Sequence, residues 1–342
     1  MSDTTYASIK STHPVATLMR VRKEQRNMPG QRIDGHTLAL AIEGGGMRGV
    51  VSGGMVAALE ELGLLNCFDV VYGSSAGAIS GAYFIAHQAR YGVTIFYDNI
   101  NNNNFIDFRR YFTGRAVMSL EFLLDDVCIY QKPLDVKALL SSPIPLRPIA
   151  ASISTLKSVV FDELTDAKTL FDALRSSARI PVVAGAPVSF RGDKFLDASV
   201  VESIPFRTAQ KLGATHIMAL LTRPKGLRRQ GPSWLDRHVI APRLRTYHPD
   251  LPAAFLRRAD KYLEELKEIE DAAKPGAPLP VLPVQIPASA ATVRSNEKAR
   301  TLLVAGAMDG FMAVYDSLGL PAPFLTEVIT PVSKISKLSP TR

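Results

Sequence analysis

The sequence predicts an α/β fold with a mostly parallel central sheet, and three observations carry that expectation. Short apolar runs at residues 38–42 and 68–72 suit buried parallel strands. Each run passes at once through a glycine-rich turn into a stretch with helical spacing. Two such turns in adjacent strand–helix units open at the same carboxyl edge of a parallel sheet, so they can face one pocket.

The elements follow in order. Residues 52–62 place Met55, Ala58, Leu59 and Leu62 on one helical face. Residues 78–89 read as a second helix. Strands are expected at 146–155 and within 156–164, and a helix at 169–178 is ended by Pro181. Arg191-Gly192-Asp193-Lys194 is a hairpin-like turn leading into Asp197. A helix at 205–212, a buried strand at 216–221, an amphipathic helix at 251–273, an edge strand at 281–286 and a helix at 293–318 complete the pattern. Residues 99–104 are almost wholly amide and read as a loop. Beyond them Phe105, Phe108, Tyr111 and Phe112 have helical spacing. Core packing is the expectation for these four. The sharper alternative is a cap over an apolar pocket, with Arg109 and Arg110 toward a headgroup.

Composition bounds the class. The 342 residues are 46% hydrophobic and 21% charged, as in ordinary globular proteins. The organisation expected is an N-terminal extension over 1–36, one domain over 37–325 and a C-terminal tail over 326–342, disordered from about Thr330. Residues 1–36 hold no apolar signal core, and no run of eighteen apolar residues occurs, so neither secretion nor a membrane span is expected. Cys67 and Cys128 sit in apolar surroundings without metal spacing and read as reduced, buried residues of a cytoplasmic protein. The net charge of +8 favours anionic surfaces such as phospholipid headgroups. No nucleic-acid motif is present. Residues 223–245 are basic and contain Trp234, the only tryptophan; a solvated face is the usual reading, and an interfacial anchor the sharper one.

Chemistry concentrates in the two turns. Gly44-Gly45-Gly46-Met47-Arg48-Gly49 fits the dinucleotide fingerprint, a weak signal alone. It fits equally an oxyanion hole, in which glycines bring free N–H groups close to a substrate, or a tight turn with no ligand. The second strand ends in Gly73 and Ser74 rather than in the acid that a ribose requires, and Asp69 lies at its start. Gly73-Ser74-Ser75-Ala76-Gly77 matches G-x-S-x-G between a strand and a helix, the context of a nucleophile elbow, with Ser75 at the apex. A serine needs a base. His216 falls in a predicted strand, and His238 and His248 lie in a basic surface-like stretch; none has a catalytic context. Asp197 is the other candidate, and from its surroundings alone an ordinary turn aspartate is the simpler reading.

Three blocks, taken together and in order, resemble the patatin-like phospholipase family, which shares its catalytic core with cytosolic phospholipase A2. They are Gly44 to Gly49 with its basic residue before the last glycine, Gly73 to Gly77, and the stretch from Ser176-Ser177-Ala178-Arg179-Ile180-Pro181 to Asp197. The resemblance implies a three-layer α/β/α patatin-like fold. It implies Ser75 as nucleophile and Asp197 as base of a Ser-Asp dyad. It implies an oxyanion hole from Gly45, Gly46, Met47 and Arg48, with Gly44, Gly49, Gly73 and Gly77 shaping the turns. The implied activity is hydrolysis of phospholipid or other lipid acyl esters, with no metal or cofactor. Peripheral contact with an anionic membrane surface is the partner expectation; the oligomeric state is not readable. One departure stands out: the family's Asp-Gly-Gly or Asp-Gly-Ala is Asp197-Ala198-Ser199 here, and alanine does not take positive φ without strain. A catalytically weak interaction protein and a dinucleotide-binding oxidoreductase are the rival functions.

Overall fold

A computed structural model describes residues 8–227 and 230–321. The tail expected over 326–342, and Arg228 and Arg229 of the basic stretch, lie outside the described residues.

Among the described residues, eight strands form one sheet: β1 (Leu38–Ile42), β2 (Val70–Ser74), β3 (Leu146–Ser152), β4 (Ser158–Val160), β5 (Val188–Phe190), β6 (Asp193–Asp197), β7 (His216–Leu221) and β8 (Val281–Gln285). The hydrogen-bonded path runs β5-β6-β3-β2-β1-β7-β8, with β4 pairing β3 off this path. The β3/β2, β2/β1, β1/β7 and β7/β8 pairs are parallel, while β4, β5 and β6 pair antiparallel. Pro283 is tolerated because β8 ends the path, where a strand has one free edge.

The period of two decides the layers. In β1, Leu38, Leu40 and Ile42 pack into one core, and Ala39 and Ala41 into another on the opposite face. The first core holds the helices Gly49–Glu61, Ala76–Ile85 and Arg300–Ser317. The second holds Phe206, Ala209, Tyr262 and Ile269 from the helices Phe206–Lys211 and Arg258–Ala272. The result is a mixed α/β fold, with a central, mostly parallel sheet flanked by helices on both faces.

Several elements differ from their sequence-based expectation; the helix expected over 293–318 begins only at Arg300. The helix Gly49–Glu61 is buried from Gly49 through Leu59, not on one face only. It is pressed against Arg300–Ser317 so closely that a Cβ on Gly54 would lie 1.9 Å from the Ala307 carbonyl oxygen. The long helix over 251–273 is two, Leu251–Leu256 and Arg258–Ala272, broken at Arg257. Of the four aromatics over 105–112, only Phe105 is buried.

The N-terminal segment is tied to the sheet. The helix Pro14–Glu24 buries Val15, Leu18 and Met19. Its Arg22 is fully buried, donates to Asp34 (2.8 Å) and Asp69 (2.7 Å), and also reaches the Cys67 and His36 carbonyls, each at 2.7 Å. Its five donors are thereby matched by carboxylates and carbonyls, which is how a buried guanidinium is sustained.

Candidate active site

β3 organises the site through its two edges. On one edge, the Pro145 carbonyl accepts from Val71 of β2 and the Ile153 N–H donates to Lys194 of β6. On the other, the Pro148 carbonyl accepts from Phe161 and the Ser152 N–H donates to Lys157, beside β4. Alternate residues of a strand serve opposite edges, so β2 and β6 lie end to end along the same edge. Ser74 pairs with Ile149, and Asp197 pairs with Ala150, one residue further. As β2 turns away into its helix, β6 takes its place and ends at Asp197.

Ser75 sits in that turn with φ 55° and ψ −126°, the sparsely populated backbone of a strained elbow. Glycine is required on both sides by close approach. A Cβ at Gly73 would fall 2.3 Å from the Ala78 Cα, and one at Gly77 would fall 2.4 Å from the Ile42 carbonyl oxygen. The Ser75 N–H donates to Ser177 Oγ at 2.8 Å. Two residues further, the Arg179 carbonyl accepts the Asp197 N–H at 2.9 Å. Asp197 Oδ1 accepts from the Ser199 N–H at 2.9 Å. Ala198 to Val200 continue as a 3-10 turn, and Ala198 does not have positive φ. The departure from the family's glycine therefore needs no strained backbone.

The glycine loop faces the same point. Gly44 packs on the elbow, since a Cβ there would lie 2.7 Å from Ser75 Cβ. Gly45 and Gly46 have φ of 154° and 59°. The Met47 N–H is engaged by the Ser295 carbonyl at 3.0 Å, and the Arg48 N–H by the Gly45 carbonyl at 3.2 Å. Thr222 clamps the loop from behind. Its N–H donates to Glu43 Oε2 (2.6 Å), its hydroxyl donates to the Gly44 carbonyl (3.1 Å), and the same hydroxyl accepts from Arg48 Nε (3.2 Å). Burial, and next the charge of Arg223, lower the Arg48 pKa to about 10, so it stays cationic at neutral pH.

Two cavities meet at Ser75. One is a largely apolar pocket walled by Ile79, Phe96, Ile100, Phe105, Met118 and Leu123 among others. The other is more polar and is lined by Asp197, Arg48, Arg223, Asp236 and Arg258. Arg258 is paired with Asp236 at 2.8 Å. The Arg223 guanidinium lies over the Tyr262 ring at 5.1 Å, and its buried Nε has no hydrogen-bond partner among the described residues.

The histidines stand elsewhere. His216 bonds Thr215 Oγ1 and packs edge-on to His36; burial, then the neighbouring His36, lower its pKa to about 4. The His238 ring lies 5.0 Å from that of Trp234, tilted by 39°, and His248 lines a separate cavity near Lys194. Asp69 is bound by Arg22, Arg32 and the Leu38 N–H at the opposite edge of the sheet, beyond reach of the glycine loop. Among the described residues, no three His, Cys, Asp or Glu side chains cluster as metal ligands do. Thr222 and Glu43 were not singled out from sequence; Ser177 entered only within the block 176–181 and Arg223 only as the start of the basic stretch 223–245, neither with a role at the site.

Residues 40–209 match the family model described as patatin-like phospholipase. The uncharacterized protein YjjU of Escherichia coli (strain K12) is 28% identical over 205 residues, which are 58% of this chain and 56% of that protein. The match thus spans little more than half the length of that relative. The crystal structure of VipD from Legionella pneumophila superposes with a TM-score of 0.42 at 11% identity, over 83% of this chain and 67% of that one.

Proposed function

Because this chain belongs, through residues 40–209, to the patatin-like phospholipase family, we propose that it is a serine lipid acyl hydrolase working through Ser75 and Asp197. The observation that carries the reading is the end-to-end alignment of β2 and β6. It brings the buried Asp197 into the polar cavity, which meets the apolar one at the strained Ser75.

The acyl chain lies in the apolar pocket and the alcohol side of the ester in the polar one, facing Arg223. Ser75 Oγ attacks the ester carbonyl carbon while its proton passes to Asp197. The carbonyl oxygen becomes an oxyanion that accepts from the Gly45 and Gly46 N–H groups, each donor worth about 3 kcal/mol. Of the four residues assigned to the oxyanion hole, these two carry the available N–H groups; Met47 and Arg48 position the loop. Collapse of the intermediate breaks the ester C–O bond, and the leaving alcohol takes the proton from Asp197. Water then attacks the acyl-enzyme and delivers a proton to Asp197; collapse breaks the bond from Ser75 Oγ to the acyl carbon, Asp197 returns the proton to Oγ, and the fatty acid leaves.

The oxidoreductase alternative lacks support from geometry. Gly46, where a cofactor pyrophosphate would approach, packs against the Ser295 carbonyl; a Cβ there would lie 2.6 Å from that oxygen. A fluorophosphonate probe with peptide mass spectrometry, beside turnover of a nitrophenyl acyl ester, tests the reading. Label on Ser75 alone and no turnover by Ser75→Ala are expected. Label on Ser74, or on no serine, refutes it.

A further inference from the structure

Residues 105–119 leave the body of the protein as a closed loop. The Asp107 N–H donates to the Val117 carbonyl, the Ser119 N–H donates to the Phe105 carbonyl, and Ile106 bridges Met118. At the tip is the 3-10 turn Phe108–Thr113, in which no residue is buried. Three of its six residues are nevertheless aromatic. Phe112 is 86% exposed and Phe108 58%. Among the described residues, nothing accounts for apolar surface held out in this way.

A second exposed apolar pair lies far away in sequence: Trp234 is 68% exposed and Leu235 58%. They lead into the helical segments Asp236–Ile240 and Ala241–Leu244. The two regions touch, because the Arg243 guanidinium lies over the Tyr111 ring at 5.1 Å. Both border the candidate site. Phe105 and Met118, at the base of the loop, line the apolar pocket, and Asp236 and Ile240 line the polar one.

Charge selects the occupant. Arg115, Arg237, Arg243 and Arg245 are exposed on these segments, and Arg109 is exposed but paired with Asp107. Their acids are already matched, Asp107 by Arg109 at 3.0 Å and Asp236 by Arg258 at 2.8 Å. We propose that this rim, residues 108–115 together with 234–245, docks on an anionic lipid surface. The arginines meet headgroup phosphates, while Phe108, Phe112, Trp234 and Leu235 enter the boundary between headgroups and acyl chains. A protein partner would need a preformed pocket for each side chain that stands away from the surface. A fluid interface closes around them without one. Docked so, the mouths of both cavities face the bilayer that holds the ester; that last step rests on the acyl hydrolase reading, and the docking does not.

Vesicles of phosphatidylglycerol with phosphatidylcholine, compared with phosphatidylcholine alone, test the surface. The full chain should sediment with the anionic vesicles and less so as salt rises. Emission from Trp234 should shift to the blue, and it is the only tryptophan to report. Phe112→Ser and Leu235→Ser should each weaken vesicle binding about tenfold, since binding follows buried apolar area. Arg243→Gln should flatten the salt dependence. All three should hydrolyse a soluble short-chain ester at the parent rate. Equal binding to both vesicle types, an unshifted Trp234, or undiminished binding by both serine variants overturns the proposal. So does an acidic soluble protein that abolishes vesicle binding without itself being displaced by lipid. Anionic binding by a protein inert toward every ester would leave the docking face standing and remove the hydrolase reading instead.

Discussion

The hydroxyl of Ser177 accepts the Ser75 backbone N–H at 2.8 Å. The segment that carries Ser177 thereby touches both halves of the candidate dyad, because the Arg179 carbonyl two residues on accepts the Asp197 N–H. Ser177 closes the helix Ala167–Ser177, whose start is fixed by a capping box at Asp166 and Thr169. A helix anchored at one end thus sets the elbow at the other. On the acyl hydrolase reading, Ser177 would act through Ser75 as a positioning residue.

Ser177→Ala would leave the Ser75 N–H buried without an acceptor, at about 1–3 kcal/mol. The expected result is a fall in kcat on a soluble ester with KM little changed, and slower fluorophosphonate labelling of Ser75. Ser177→Thr, which keeps the oxygen, should recover most of the rate. A variant that loses stability but labels at the parent rate would show that the contact is structural only.

A two-residue dyad predicts indifference to histidine. His216→Ala, His238→Ala and His248→Ala should each retain most of the activity, whereas Asp197→Asn should lose about 10²–10⁴-fold, as expected for a lost general base. Circular dichroism of each variant guards against unfolding. A thousandfold loss in a folded histidine variant would restore a triad.

Much of this arrangement was legible in the chain. Both strand–turn–helix units are local: an apolar run, glycines and helical spacing fall within a few residues, and the structure places β1, β2 and their helices there. Ser177 and Thr222 were not legible, because their roles come from hydrogen bonds across 102 and 178 residues. The aromatics after Phe105 misled for a different reason. Helical spacing marks a shared face, but it does not say whether that face meets the core or the outside. The closed loop at 105–119 decides it, through pairing between residues that flank the pattern. The helix Gly49–Glu61 shows the converse: small residues that look neutral in a periodicity count are what let it be buried all round.

The segment after Asp197 carries a pH dependence. Glu265 is buried and accepts the Ser203 and Ile204 N–H groups, next to Glu202, which holds Thr208. Burial, and then the charge of Glu202, push its pKa up to about 8 from the ordinary carboxylate value of 4.5. A group whose folded pKa is raised holds its proton better in the native state. Its contribution to stability is therefore full below about 4.5 and is lost as pH rises through about 8. Urea midpoints at pH 5, 7 and 9 should fall in that order, and Glu265→Gln should flatten the decline. A midpoint rising between pH 5 and 9 in the parent, or an unchanged slope in the variant, would contradict this.

Arg48 and Arg223 line the same polar cavity but are held differently, and that separates their expected roles. Arg48 is buried behind the glycine loop. Its Nε donates to Thr222, and its guanidinium fills the space where a Gly45 side chain would be, with Nη2 2.9 Å from a Cβ placed there. On the acyl hydrolase reading, removing it takes away the support of the Gly45 and Gly46 N–H donors. Arg48→Ala should therefore slow phospholipid and neutral nitrophenyl ester alike. Arg223 rests over Tyr262 with no ion pair to a carboxylate among the described residues, and it crowds Arg48 with like charge. An anionic group of the substrate would relieve both. A charged hydrogen bond contributes about 1.5–3 kcal/mol, or about 10- to 150-fold in kcat/KM. Arg223→Gln should lose that factor on a phosphate-bearing ester and change less than threefold on the neutral one, within the noise of surface substitutions at about ±0.5 kcal/mol. Equal losses on both esters would assign Arg223 to the loop's support with Arg48. No loss on either would leave the polar cavity without a role in selecting the ester's alcohol.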